Sequence, residues 1–146
     1  IGLGSMISGN IFADSAALGQ AFYSEEEKVF EAERKTILEI ASKGPCVMIG
    51  RCASSILRDA GYDVLSVFVY ADTPDRIRRI CERCGLNERA AARKAQKIDR
   101  MRKDHFDFYS ETKWGEPESY DLMVSSSCYG IDGTVDVIAK AVTDRM

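Results

Sequence analysis

The sequence contains no G-x-x-x-x-G-K-[ST] phosphate loop, the motif with which many proteins hold ATP. It has a single histidine, His105, and neither a nucleophile elbow nor a pair of metal-binding carboxylates, so nucleophilic and metal-centred catalysis are not indicated. No apolar run reaches the roughly 18 residues of a membrane span. No basic stretch followed by an apolar one marks a signal peptide. We therefore expect a cytoplasmic protein with no membrane partner.

The cysteines do not suit a disulfide framework. There are five, an odd number spread over predicted strands and helices, which favours reduced thiols. Cys81 and Cys84 form a C-x-x-C pair, but no second pair and no nearby histidine completes a metal site. We therefore interpret the cysteines as structural thiols and assign no metal site.

A chain of 146 residues suits one domain, residues 1–146, with one core. Ser24 and Glu27 form a capping box that begins a helix, and Gly44 and Pro45 end it. Residues 1–20 are expected to be loop, with one short helix over 13–22. Three apolar runs predict strands over 46–49, 64–70 and 120–125. Helical patterns predict a helix over 53–60, a helix that Thr73 caps and that runs to about Cys84 before Gly85 ends it, and a helix that Asn87 caps and that runs to about Tyr109. Asp132 is predicted to cap a last helix with Val135, Ile138, Ala139 and Val142 on one face.

Strands that alternate with helices predict an α/β fold, a parallel sheet with helices on both faces. Ligands of such sheets bind beyond the carboxyl ends of the strands. Arg51, Asp72 and residues 125–127 lie at these ends, so the sequence places a candidate site there.

Positive charge is concentrated in one segment. Residues 76–103 contain 11 basic and 3 acidic residues, a net charge of +8, whereas the formal net charge of the chain is −3. The acidic remainder favours a local pocket for a small polyphosphate over general nucleic-acid binding, which needs a broad basic face. The alternative is an ordinary solvated helix surface.

Arg76, Arg79 and Arg83 recur at i, i+3 and i+7 and would share one face of a helix. Phosphoryl transfer needs positive charge around the moving oxygens and little covalent chemistry from the protein, and arginine supplies that charge. These three are therefore the candidate catalytic residues. The alternative is a helix surface on which they pair with acidic neighbours.

Four segments in the same order resemble the cytidylate kinase-like family: GPCVMIGRCA at 44–53, DRIRRI at 75–80, KIDRMR at 97–102 and WGEPESYDL at 114–122. The resemblance extends over residues 30–142. It implies a P-loop nucleoside monophosphate kinase, which transfers the γ-phosphate of ATP, with Mg²⁺, to a pyrimidine monophosphate such as CMP or dCMP. The implied fold is the three-layer P-loop NTPase arrangement.

The resemblance also implies roles for two sets of arginines. Arg51 would hold the phosphate of the acceptor. Arg76 and Arg79 would belong to the lid that closes over the transferring group, next to Arg83 on the same helix face.

Asp99 and Arg102 resemble the D-x-x-R pair of the family and complete the predicted substrate-binding set with Arg51. The carboxylate would accept from the exocyclic amine of cytosine, and the arginine would bind sugar or phosphate. Alternatively, Asp99 pairs with Lys103 one turn later. No cofactor-binding residues are assigned.

Two departures from the family pattern matter. Cys52 stands where cytidylate kinases tend to have aspartate, which leaves the acceptor open. The glycine-rich segment 2–5 has no preceding strand and no following cation, so the first, central strand of the family sheet is missing from the given sequence. We therefore expect an incomplete, by itself inactive kinase domain, which is either a trimmed part of a longer protein or is completed by another segment or chain.

Two other functions stay open on the sequence alone. One is a nucleotide-binding regulator that keeps the acceptor site without catalysis. The other is a basic module, residues 76–103, that binds nucleic acid or protein. We expect no specific nucleic-acid partner, and the sequence does not decide between a monomer and a homodimer.

Overall fold

The computed structural model describes residues 24–145, so the loop expected over 1–20 and the helix expected over 13–22 lie outside the described residues. Within that part the chain is an α/β protein with a small parallel sheet and many helices. In chain order the elements are α1 (Glu25–Ala41), α2 (Ala53–Asp59), β1 (Val67–Tyr70), α3 (Thr73–Cys84), α4 (Glu88–Tyr109), a 3-10 turn (Pro117–Ser119), β2 (Leu122–Ser125) and α5 (Ser126–Arg145).

Helix α1 begins at the predicted capping box. The Ser24 hydroxyl accepts from the backbone N–H of Glu27 at 3.2 Å, and the Glu27 carboxylate accepts from the N–H of Ser24 at 2.7 Å. These two bonds satisfy backbone donors that the first helical turn leaves unpaired. The prediction for this helix start is confirmed.

Strands β1 and β2 form a parallel pair, with Val67 opposite Leu122 and Tyr70 opposite Ser125. Both are shorter than predicted. The Ser66 carbonyl accepts from the N–H groups of both Asp121 and Leu122, at 2.9 and 3.1 Å. This shared acceptor, just ahead of β1, marks where the regular ladder begins.

The strand predicted over 46–49 is wrong for the described structure. The segment is not assigned as a strand and makes no backbone hydrogen bond within residues 24–145. The side chains of Val47 and Ile49 are 94% and 93% exposed. The reason is physical: a strand needs a partner, and no described strand lies beside this one.

Helices α3 and α4 pack against each other as a hairpin. Helix α3 ends at Gly85, which has a left-handed φ of 64°, and Asn87 caps α4 by accepting from the N–H of Ala90 at 2.9 Å. Both signals were predicted. The start of α3 differs, because Asp72 occupies the cap position and Thr73 is already helical.

Helix α5 follows β2 directly and bends at Gly130, where φ is 69° and ψ is −177°. The predicted cap at Asp132 is therefore wrong, because the regular helix is interrupted two residues earlier. The predicted apolar face is largely uncovered, with Val135 and Val142 57% and 45% exposed. Among the described helices, none combines the length and apolar character that a bilayer crossing requires.

The core lies where α1, α2 and α4 meet. Its buried residues are Ile37, Cys52, Ala53, Ile56, Leu57 and Phe106. The Cys52 thiol also lies 3.9 Å from the His105 carbonyl oxygen of α4. This packing fixes the turn before α2 against α4 and so places one part of the candidate site.

Candidate functional site

The turn that joins 46–49 to α2 has an unusual backbone. Gly50, Arg51 and Cys52 have φ values of 73°, 57° and 55°. Left-handed backbone costs about 1–2 kcal/mol for a residue other than glycine. Such strain persists only where the surroundings impose it, and it is concentrated at functional sites. The burial of Cys52 is one such constraint.

A second constraint on the turn is an ion pair that links it to α1. The Arg51 guanidinium (Nη1) lies 2.9 Å from Glu33 Oε1, with the two side chains 67% and 22% exposed. The second oxygen, Glu33 Oε2, is buried and has no hydrogen-bond partner among the residues described. Sequence reasoning missed Glu33. The sequence does hold a signal for it, because Glu33 is a carboxylate on the face of α1 that also carries Phe30 and Ile37.

Glu33 and Arg51 line a groove of about 470 Å³ between α1 and residues 48–51. The other lining residues are mainly apolar: Val29, Ala32, Thr36, Ile37, Ile40, Met48, Ile49 and Gly50. A mostly apolar cleft with a few charged groups is the usual character of a ligand site.

Asp99 is bound to Arg76 across the α3–α4 hairpin. One guanidinium nitrogen, Nη2, donates to both carboxylate oxygens at 2.7 Å, and the side chains of Arg76 and Asp99 are only 34% and 26% exposed. Lys103 instead binds Asp107, at 2.5 Å, so the alternative pairing of Asp99 with Lys103 is wrong. The pair lines a smaller cleft of about 220 Å³ with Thr73, Ile77, Ala92, Ala95 and Gln96.

Arg79 lies at the carboxyl ends of the two strands. It donates to the Ser126 hydroxyl at 3.1 Å and to the Ser126 carbonyl at 3.5 Å, and that hydroxyl donates to the Tyr70 carbonyl at 3.2 Å. Close by, the Ser127 hydroxyl and then Arg78 hold the pKa of Asp75 below its ordinary value. The sheet edge predicted as a ligand site therefore carries Arg79.

The predicted site residues fall into three groups rather than one. Arg76 joins Asp99, Arg79 joins Ser126, and Arg51 joins Glu33. Arg83 and Arg102 are exposed and form no ion pair within residues 24–145. The structure thus gives Arg76 and Arg79 different partners. The three arginines predicted to be catalytic share no common partner within the described residues.

The three residues predicted to bind substrate, Arg51, Asp99 and Arg102, are related through α4. Because Cys52 contacts the backbone of His105, Arg51 lies next to that point of the helix. Arg102 and Asp99 precede His105 by three and six residues, which is about 4.5 and 9 Å along the helix axis. Going back along α4 from the point that the turn contacts, Arg102 comes first and Asp99 second.

The cysteines offer little further chemistry. Burial, helped by the Glu33 carboxylate, raises the pKa of the Cys52 thiol to about 11. Cys81 and Cys84 are free thiols, and Lys94 lies 3.2 Å from the sulfur of Cys84. No group of three His, Cys, Asp or Glu side chains in the described part of the chain could hold a metal ion.

Comparison with known proteins matches the chain to a sequence family, to curated relatives and to a solved structure. Residues 5–128 match the sequence model of the Cytidylate kinase-like family. The chain is 30% identical over 151 residues to a cytidylate kinase of Methanococcus vannielii, covering 97% of this chain and 86% of that protein. It is 27% identical over 152 residues to the cytidylate kinase of Methanococcus aeolicus, covering 98% and 85%. A crystal structure of an uncharacterized protein from Eubacterium ventriosum superimposes with a TM-score of 0.77 at 31% identity, covering 85% of this chain and 69% of that one.

Proposed function

Because this chain belongs to the cytidylate kinase-like family, we propose that it is the acceptor-binding part of a nucleoside monophosphate kinase. The reaction would move the γ-phosphate of ATP to a pyrimidine monophosphate such as CMP or dCMP. Family membership supports a general description of the protein as a nucleotide-binding kinase. The choice of acceptor is our proposal, and so is the assignment of residues 1–146 to one incomplete kinase domain.

The observation that carries the proposal is the Arg51 turn. An arginine in a strained backbone conformation, held by an ion pair at the rim of a 470 Å³ groove, is costly for stability and suited to an anion. Arg51 would bind the acceptor phosphate, and Arg102 and Asp99 would bind elsewhere on the nucleotide. Arg76, Arg79 and Arg83 would serve the transferring group, with Arg79 at the strand ends.

The described residues do not fit the donor, ATP with Mg²⁺. They contain no cluster suited to a metal ion, and the sequence has no phosphate loop. We propose that this chain binds the acceptor but transfers no phosphate by itself. Segment 46–49 makes no backbone hydrogen bond within residues 24–145, and the side chains of Val47 and Ile49 are exposed. Both observations support a fold in which a central strand would lie between this segment and β1.

Calorimetric titration with CMP, dCMP, UMP and AMP tests the proposal, together with a phosphotransfer assay containing ATP and Mg²⁺. We expect the two cytidine nucleotides to bind more tightly than the others, without turnover. Arg51→Ala should weaken CMP binding about tenfold or more, because it removes a charge-assisted bond of about 1.5–3 kcal/mol. Arg100→Ala removes an equal charge at an exposed position of α4 and is the matched control.

The outcomes separate the candidate functions. Absence of CMP binding contradicts the acceptor site, and equal effects of the two alanine variants contradict the role of Arg51. Turnover by the chain alone contradicts the proposed lack of a donor site. Binding without turnover even in any longer form of the protein favours the regulatory function instead.

A second function, binding of a polyanion, is favoured by one observation. Arg89, Arg93, Lys97 and Arg100 recur along α4, and each is exposed and outside the ion pairs seen in residues 24–145. An oligonucleotide bound there would lose affinity steeply with salt, with a slope that falls by about one for each arginine removed. Oligonucleotide affinity that exceeds CMP affinity at physiological salt would support this function over the kinase.

A further inference from the structure

Glu33 is a carboxylate of α1 that the family resemblance did not single out. It is 22% exposed, lies in an apolar groove and contacts Arg51 at 2.9 Å. We propose that Glu33 is a positioning residue, which fixes the Arg51 guanidinium so that its remaining N–H groups meet the phosphate of the acceptor. This inference rests on the proposed function of Arg51.

The donor inventory of arginine allows both contacts at once. A guanidinium has five N–H donors in a planar fork, and Glu33 engages it through Nη1. Within residues 24–145 the remaining donors have no partner, so they can bind a phosphate, which arginine binds bidentately. Glu33 and the acceptor phosphate therefore do not have to compete for the same hydrogen atoms.

The burial of Glu33 argues against an ordinary surface pair. The pair that Glu39 forms with Lys43, near the end of the same helix, has side chains 62% and 68% exposed. Glu33 instead keeps one oxygen buried and without a hydrogen-bond partner among the described residues. An ionised carboxylate in that position is unfavourable unless it is paired, so it constrains where the guanidinium lies.

The backbone of the turn completes the argument. Cys52 is 4% exposed and anchors one side of the left-handed turn in the core. Arg51, next to it, is 67% exposed and would be free to sample many rotamers without a partner. Glu33 supplies that partner, so the core and α1 together hold the charged group at the rim of the groove.

The test compares CMP with cytidine, which lacks the phosphate, by NMR titration of the full chain. We expect Glu33→Gln to weaken CMP binding about tenfold, the equivalent of about 1.4 kcal/mol, and to leave cytidine binding within about twofold. Glu33→Asp should keep more CMP affinity than Glu33→Gln, because it retains the charge. Glu31→Gln, an exposed neutralisation on the same helix, is the matched control and should leave both affinities unchanged.

A double variant tests whether Glu33 acts through Arg51. Adding Glu33→Gln to Arg51→Ala should cause no further loss of CMP affinity, since residues that act through one contact are not additive. The Arg51 side-chain N–H signal should broaden in Glu33→Gln at unchanged melting temperature, which a merely structural role would not produce.

Several outcomes would overturn the inference. Equal losses for CMP and cytidine would show a general structural role, and tighter CMP binding in Glu33→Gln would show competition for Arg51. Additive losses in the double variant would show independent action. If wild type binds CMP and only Arg51→Ala weakens it, the inference fails and the proposed function stands; if wild type does not bind CMP, both fail.

Discussion

Cys52 combines three properties: it is buried, it has left-handed backbone, and it lies next to the candidate phosphate ligand Arg51. Its environment disfavours the thiolate, because burial and the nearby Glu33 carboxylate both oppose a negative charge. A thiol in this state is a poor nucleophile and a poor metal ligand. We therefore assign Cys52 to packing, where its contact with α4 fixes the turn.

This environment predicts an alkaline loss of stability. The pKa of Cys52 is raised from 9.0 to about 11, so between these values the folded protein keeps a proton that the unfolded chain releases. The free energy of unfolding should therefore be unaffected below pH 9 and fall as pH rises toward 11. Urea denaturation at pH 8, 9, 10 and 11 measures this, and Cys52→Ala should show a shallower decline. Parallel declines in the two proteins would contradict the shifted pKa.

At the scale of secondary structure, the features that depend on residues close together in the chain were predicted better than those that depend on distant partners. The capping box at Ser24, the cap at Asn87 and the glycine that ends α3 each involve residues a few positions apart, and each was confirmed. The strand over 46–49 failed because its apolar pattern describes a segment fit for a sheet, whereas pairing depends on a neighbour. The cap predicted at Asp132 failed because helical turns already begin at Ser126, directly after β2, and the break in them falls at Gly130.

The site shows the same division. The sequence identified Arg51, Arg76, Arg79 and Asp99 as candidates, but its spacing rules considered only partners on the same helix. Asp99 pairs with Arg76 across a hairpin, and Arg51 pairs with Glu33 from an earlier helix. Such partners are set by tertiary packing, so they could not be derived from positions along the chain.

The same difference between segments predicts their hydrogen exchange. The ladder amides of β1 and β2 are bonded to each other, whereas residues 46–49 make no backbone hydrogen bond within the described residues. Exchange protection follows hydrogen bonding and burial. Amides of Val47, Met48 and Ile49 should therefore exchange orders of magnitude faster than the ladder amides, as measured by NMR-detected exchange. Comparable protection would show that another part of the chain, or a second copy, covers the segment.

At the scale of the molecule, charge is strongly segregated. The α3–α4 hairpin contains most of residues 76–103, with a net charge of +8, and the rest of the chain balances it. Only Arg76, Arg78 and Lys103 of its cations form ion pairs within the described residues. Unneutralised cations on one side of a protein produce a field that attracts anions over several ångströms at low salt.

This field predicts that exposed charges on α4 strengthen CMP binding at low salt without contacting the nucleotide. The triple variant Arg89→Gln, Arg93→Gln, Lys97→Gln removes three exposed charges from α4 and leaves in place every residue proposed for the nucleotide site. At about 10 mM salt, where the Debye length is about 30 Å, it should weaken CMP binding by about threefold and leave cytidine binding unchanged. At about 1 M salt the difference should vanish, because the Debye length falls to about 3 Å. A loss that persists at high salt would mean that these residues contact the nucleotide. No loss at low salt would mean that the hairpin field does not reach the proposed acceptor site.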